Sequence, residues 1–228
     1  MKFSSQIVTA ASGSVGGCTY SRNRSGMYIR GRSMPVNPNS TQQNVVRTAL
    51  ATLVAQWTAT LTQAARDTWS TWAANTPQLD ALGNPINITG QNAFIKMNVQ
   101  RIQVGLNIVQ QAPAVFAGAA LTPPNLVSAT FATQLLSVTF SNTDAWATAV
   151  GGALLVYQGR PQNPSKLFFA GPYRFAAMVL GAVVPPVSPA AIAAVFPFLV
   201  GQRIHVRFVA VQTDARISTR QLDSVISI

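Results

Sequence analysis

Glutamate is absent from this sequence. Five Asp, one His and one Cys are its whole stock of carboxylate, imidazole and thiol side chains across 228 residues. General acid–base and nucleophilic catalysis use such groups in adjacent sets, typically a nucleophile beside its base. Here Asp67, Asp80, Asp144, Asp214 and Asp223 are dispersed along the chain. Cys18 has no base within sequence reach, and its sole imidazole partner would be His205. One His and one Cys cannot build a zinc site. The GSVGG segment at 13–17 lacks the Lys-Ser/Thr ending of a phosphate loop. The inventory therefore points to a protein that is not an enzyme and carries no cofactor.

Other shortages narrow the field further. A single Cys excludes an internal disulfide, so folding in the cytosol is the default. The opening MKFSSQIVTAASGS is interrupted by Ser4, Ser5, Gln6 and Thr9 and lacks the apolar run of a signal peptide. Between Arg174 and Arg203 the chain is uncharged, but Pro185, Pro186, Pro189 and Pro197 break any helix there. A membrane span is not expected.

What is present is basic and apolar. Three Lys and 13 Arg give a net charge of +11, although charged residues make up only 9% of the chain. An ordinary domain carries roughly 25%. Hydrophobic residues reach 48%, enough for a sizeable core and too many for wholesale disorder. The imbalance is uneven: Lys2, Arg22, Arg24, Arg30, Arg32, Arg47 and Arg66 all precede the first acid, Asp67. A surface of Ser, Thr, Asn, Gln and Ala with scattered Arg suits contact with other protein surfaces or with an anion.

Residues 1–40 show no helical periodicity and hold five Gly together with Pro35 and Pro38. Within them Tyr20, Arg22 and Arg24 alternate before Ser25-Gly26, and Tyr28, Arg30 and Arg32 alternate after it. Period-two alternation across such a turn predicts a β-hairpin. These six side chains are expected on one face, with Ser21, Asn23, Met27 and Ile29 on the other. They are the candidate partner-binding residues, because Arg makes bidentate contacts to carboxylate or phosphate and Tyr is a rigid anchor. A neighbouring subunit and a nucleic-acid backbone both fit, and the scarcity of Lys favours the subunit.

A helical section follows. Ser40 or Thr41 caps a helix from Gln42 to Trp57, with Val46, Leu50, Leu53, Val54 and Trp57 at helical spacing. Thr62 caps a second helix, Gln63 to about Ala74, which carries Ala65, Trp69, Trp72 and Ala73 on one side. Residues 78–90 read as loop. A third helix is expected from Gln91 to Gln110, with Phe94, Met97, Ile102 and Leu106 as its stripe and Gly105 as a weak point. Trp57, Trp69 and Trp72 are expected to pack between helices rather than to form a stacking platform.

Beyond Thr122-Pro123-Pro124 the pattern changes to short apolar or alternating runs: NLVSATFA, LLSVTFSN, GALLVYQG, KLFFAGPY, AAMVLGAV and RIHVRFVAVQ. Such spacing predicts a β-sandwich. SPAAIAAVF, residues 188–196, is expected to form about one helical turn. In RIHVRFVAV, Arg203, His205 and Arg207 share one face, and His205 is expected at a surface position. The fold class is therefore α+β, with an extended basic arm and hairpin at 1–40, a helical domain at 41–112 and a β-sandwich at 123–228.

Several spaced motifs, GSVGG, YSRNRSGMYIRGR, PVNPNSTQQNVVR, LTQAARDTWSTWA and TGQNAFIKMN, cover residues 13–100. Their order resembles uncharacterised structural proteins of tailed bacteriophages and prophages. PPNLVSATF and FLVGQRIHVRFVAVQTDARIS resemble the first and last strands of a fibronectin-III or immunoglobulin-like module. The resemblance implies a virion protein: a capsid decoration or minor capsid subunit, or a head–tail or tail accessory component. Its implied partners are major capsid, portal or tail subunits, with packaged DNA as a further candidate. Oligomeric assembly in the particle, after synthesis in the host cytoplasm, follows from the same resemblance. Two alternatives stay open: a nucleic-acid-binding protein using the Arg/Tyr arm, and a host-surface adhesin using the sandwich.

Overall fold

The computed structural model describes residues 11–23, 26–79 and 83–228. The chain divides into two compact units, Met1–Thr41 and Gln42–Ile228. Among the described residues its elements are mixed, with three α-helices and several antiparallel sheets.

In the first unit, β1 (Gly13–Val15), β2 (Cys18–Asn23) and β3 (Gly26–Gly31) form one antiparallel sheet in that order. The β1–β2 connection is the two-residue turn Gly16-Gly17, closed by the pair Val15↔Cys18. Gly16 has φ of +57°. Tight hairpin turns need this left-handed region, which glycine enters without a Cβ clash.

The second unit begins with α1 (Thr41–Ala55), which runs on as one π-helical stretch, Gln56–Thr60. Leu61 then turns extended. Arg66 Nε and Nη2 donate to the carbonyls of Trp57 and Thr58 across this break. Helix α2 (Gln63–Asn75) starts as expected, with Thr62 Oγ1 accepting from the Ala65 N–H. Helix α3 (Gly90–Gln103) is capped likewise by Thr89 on Asn92 N. It stops well before Gln110, because Gly105 adopts φ of +77° and Asn98 draws the returning chain back. The Asn98 amide donates to Val109 O and accepts from Val109 N. Between α2 and α3, Gly90 lies so close to Ser70 that a Cβ would stand 2.8 Å from its backbone nitrogen.

The tryptophans do pack the helical core. Trp69 meets Phe94 edge-on at 5.5 Å and Trp72 at 6.4 Å, with Leu53, Ala65 and Met97 around them. Trp69 Nε1 donates to Gln110 O at 2.7 Å, so its polar edge is satisfied in the interior. Helix α1 differs from expectation. Ala49 and Leu53, four residues apart, are buried, whereas Val46, Leu50 and Val54 face solvent.

The 78–90 segment contains the short pair β4 (Gln78–Leu79) and β5 (Pro85–Ile86). Seven strands follow: β6 (Asn125–Thr130), β7 (Leu135–Thr139), β8 (Ala153–Gly159), β9 (Tyr173–Leu180), β10 (Ala190–Ala193), β11 (Arg203–Val211) and β12 (Gln221–Ile226). They form two antiparallel sheets, β10-β7-β6 and β12-β11-β8-β9. Leu136 and Val138 from the first meet Leu154, Val156, Ile204 and Phe208 from the second in one core around Trp146.

Three expectations need correction. Residues 188–196 hold no helical turn: Ala190–Ala193 pairs with β7, and Ile192 is buried between exposed neighbours, the two-residue period of a strand. KLFFAGPY is not a strand over 166–172, since the ladder begins only at Tyr173. The final strand lies beyond RIHVRFVAVQ, at Gln221–Ile226, where alternating Leu222, Ser224 and Ile226 gave too weak an apolar signal.

The division expected near Thr122-Pro124 falls inside the second unit, whose helical and β regions interlock. Ala215 and Ile217, from the β11–β12 connection, pack into the helical core. Val104 and Leu106 in turn cover Ala153, Leu155 and Val211 on the outer side of the larger sheet. Strands β8 and β11 are thus buried on both faces, which explains their near-continuous apolar sequence. Arg101 is buried at the junction, donating to Asn107 O at 2.7 Å, Gly151 O at 3.1 Å and Gln212 O at 2.7 Å.

Candidate functional site

The Arg/Tyr hairpin exists, but its register divides the expected face. Tyr20 pairs with Ile29 and Arg22 with Met27, while Ser21 pairs with Tyr28 and Thr19 with Arg30. Directly opposed residues share a face of a sheet. Tyr20 and Arg22 therefore stand with Met27 and Ile29, and Tyr28 and Arg30 stand with Thr19 and Ser21. Arg32 extends the second set, since its N–H donates to Gly17 O at 2.8 Å. The cause is the loop length. The last ladder pair, Asn23↔Gly26, encloses two residues, whereas a single Tyr/Arg face would need an odd number. Arg24 lies outside the described residues.

The result is one sheet with cationic and aromatic groups on both sides. Arg22, Arg30 and Arg32 are exposed, and Tyr20 and Tyr28 are half-buried. The sheet order leaves β1 and β3 as edges. An edge strand offers backbone N–H and C=O groups for pairing with another chain. The unit can thus offer ladder hydrogen bonds together with guanidinium contacts on either face.

A second cationic and aromatic cluster, not foreseen as a site, lies in the Gln42–Ile228 unit. The alternation in RIHVRFVAV does put Arg203, His205 and Arg207 on one face, but their partners come from distant strands. Across the larger sheet, Arg207 is opposite Tyr157 on one side and Leu222 on the other, and Tyr157 is opposite Phe175. The Arg207 guanidinium lies over the Tyr157 ring at 4.3 Å and the Tyr173 ring at 5.3 Å. Burial lowers the Arg207 pKa and raises those of Tyr157 and Tyr173.

His205 is buried beside this cluster rather than at the surface, because the 163–172 connection folds over it. Phe169 stacks on the imidazole at 5.5 Å, and His205 Nε2 lies 3.0 Å from Lys166 O. Gly159 makes room for Phe169, whose ring a Cβ there would meet at 2.6 Å. Desolvation lowers the His205 pKa, with the Lys166 carbonyl opposing and Arg203 and Lys166 adding to the shift.

Among the described residues no group of three or more His, Cys, Asp or Glu is placed to hold a metal ion. Among the described residues no helix is long and apolar enough to cross a membrane.

No protein-family model matches the sequence, and no curated protein matches it. Among solved structures, a beta-1,2-glucanase from Parabacteroides distasonis is similar at 15% identity with a TM-score of 0.30. The similarity covers 49% of this chain and 13% of the glucanase, and at that score it carries no argument about fold or activity.

Proposed function

We propose that this chain is a structural subunit of a bacteriophage virion, a capsid decoration or minor capsid protein or a head–tail or tail accessory component. It would bind neighbouring subunits through the basic N-terminal arm. One observation carries the reading: Met1–Thr41 forms a compact unit of its own, basic and without acid, and among its described residues β1 and β3 are the edges of the sheet. Strand addition and guanidinium contacts would supply the binding energy. Large exposed apolar residues support a life among neighbours, including Val46 and Leu50 on α1 and Leu167, Phe168, Leu199 and Val200 in connections of the β region.

The same reading makes the β region a fibronectin-III-type sandwich. Its support is the strand order: seven strands in sheets β10-β7-β6 and β12-β11-β8-β9, with the fourth strand paired to the third. In the immunoglobulin constant arrangement the fourth strand joins the other sheet.

Deleting residues 1–40 should leave a folded protein that no longer enters the particle. Unchanged incorporation would sink the arm hypothesis. The absence of acid before Asp67 also favours a second reading, in which the arm tracks nucleic-acid phosphates. That reading requires DNA binding by the full chain at low salt which weakens steeply as salt is added.

A further inference from the structure

The cluster around Arg207 has the makings of a receptor. Arg207 Nε is buried without a hydrogen-bond partner, and among the described residues no carboxylate lies in ion-pair range of this side chain. A guanidinium carries five N–H donors, and an unpaired one in a half-buried position is costly. The neighbouring charges add to that cost. Arg220 immediately precedes β12 and is exposed. Its positive charge acts on both Arg207 and Lys96. An anion arriving at this guanidinium would relieve the repulsion.

The surroundings select the kind of anion. Tyr157 and Tyr173, the rings under Arg207, also line a neighbouring cavity of about 420 Å³ with Phe175 and Arg174, and Arg207 itself is not part of its lining. Stacking of bases is disfavoured, because Arg207 lies over both phenol rings and Phe175 sets its edge against Tyr157 at 5.7 Å. What remains on offer is the donor edge of a rigidly held guanidinium, whose fork matches a carboxylate.

We propose that Arg207, with Arg220 beside it, receives a carboxylate from an acidic segment of a partner protein. The site lies in the second unit and does not depend on the arm, so its failure would leave the arm reading untouched.

The test uses the full chain and a hexaglutamate peptide, followed through the arginine Nε–Hε signals by NMR. Arg207→Lys identifies the Arg207 signal by its disappearance and keeps the net charge unchanged. The expected result is a saturable shift of that signal, with about tenfold weaker peptide binding in Arg207→Lys because the fork is lost. Arg220→Gln, at an exposed position, should weaken binding without disturbing the fold, whereas Arg47→Lys should not change it. An unmoved Arg207 signal, or equal affinity in wild type and both variants, would overturn the site. Tighter binding of hexathymidylate at the same signal would overturn the carboxylate in favour of phosphate.

Discussion

Carboxylates are few in this chain, and the described ones serve as braces for backbone and side-chain donors, some of them distant in sequence. Asp144 accepts from Thr122 N and Oγ1, Asp223 from Leu126 N and Ser224 N, and Asp67 from Gln63 Nε2. Only Asp214 forms an ion pair among the described residues, with Arg216 at 2.7 Å. Arginines elsewhere rest on carbonyls, as Arg66 and Arg101 do, or on rings, as Arg160 and Arg174 do over Phe196. Two predictions belong at this scale. His205 is buried with a lowered pKa, so below the ordinary value of about 6.5 the unfolded state binds more protons than the folded one. Stability should therefore fall as pH drops from about 6.5 toward the folded pKa. Urea midpoints measured between neutral and mildly acidic pH should decline less in His205→Gln than in wild type; parallel curves would contradict the assignment. Gly181→Ala should cost about 3 kcal/mol, the upper end for overpacking, because its Cβ would stand 1.9 Å from the Trp146 carbonyl oxygen. Chemical denaturation measures that directly.

At the scale of elements, the caps were readable and the interruptions were not. Thr62 stands where the polar-to-apolar pattern of α2 begins, and its hydroxyl takes the Ala65 N–H. Thr62→Ala is expected to lower stability by about 1 kcal/mol, read from the shift in the denaturation midpoint at unchanged slope. The π-helical stretch Gln56–Thr60 left no trace in the spacing of apolar residues, because it depends on Arg66 reaching back nine residues to Trp57 O. Strand β10 departs from its local propensity for a related reason. Ala-rich SPAAIAAVF has helical propensity, but pairing with β7 and burial of Ile192 outweigh it. In the arm, alternation predicted the hairpin but not which faces its side chains share. Register follows loop length, and one residue more or less exchanges every side chain between faces.

Over the whole molecule, Arg101 is the residue that ties the helical and β regions together. It stands in the last turn of α3 and is buried against three carbonyls, two of them from the β region. Arg101→Leu removes the Arg101 donors from Asn107 O and Gly151 O, while Gln212 O keeps the Ala215 N–H, and should cost roughly 3 kcal/mol, measured by chemical unfolding followed through tryptophan fluorescence. A loss below about 0.5 kcal/mol, typical of surface substitutions, would show that the junction does not need it. The sequence by itself determined the composition-level facts: a basic start without acid, a helical section, a β section and the hairpin. Each rests on local periodicity, caps and turns, which neighbouring residues dictate. Tertiary structure alone decided the interlocking of helical and β regions, the burial of His205 and Arg101, and the meeting of Arg207 with Tyr157 and Tyr173. Those contacts join residues tens of positions apart, and no local pattern encodes which distant surface a side chain will meet.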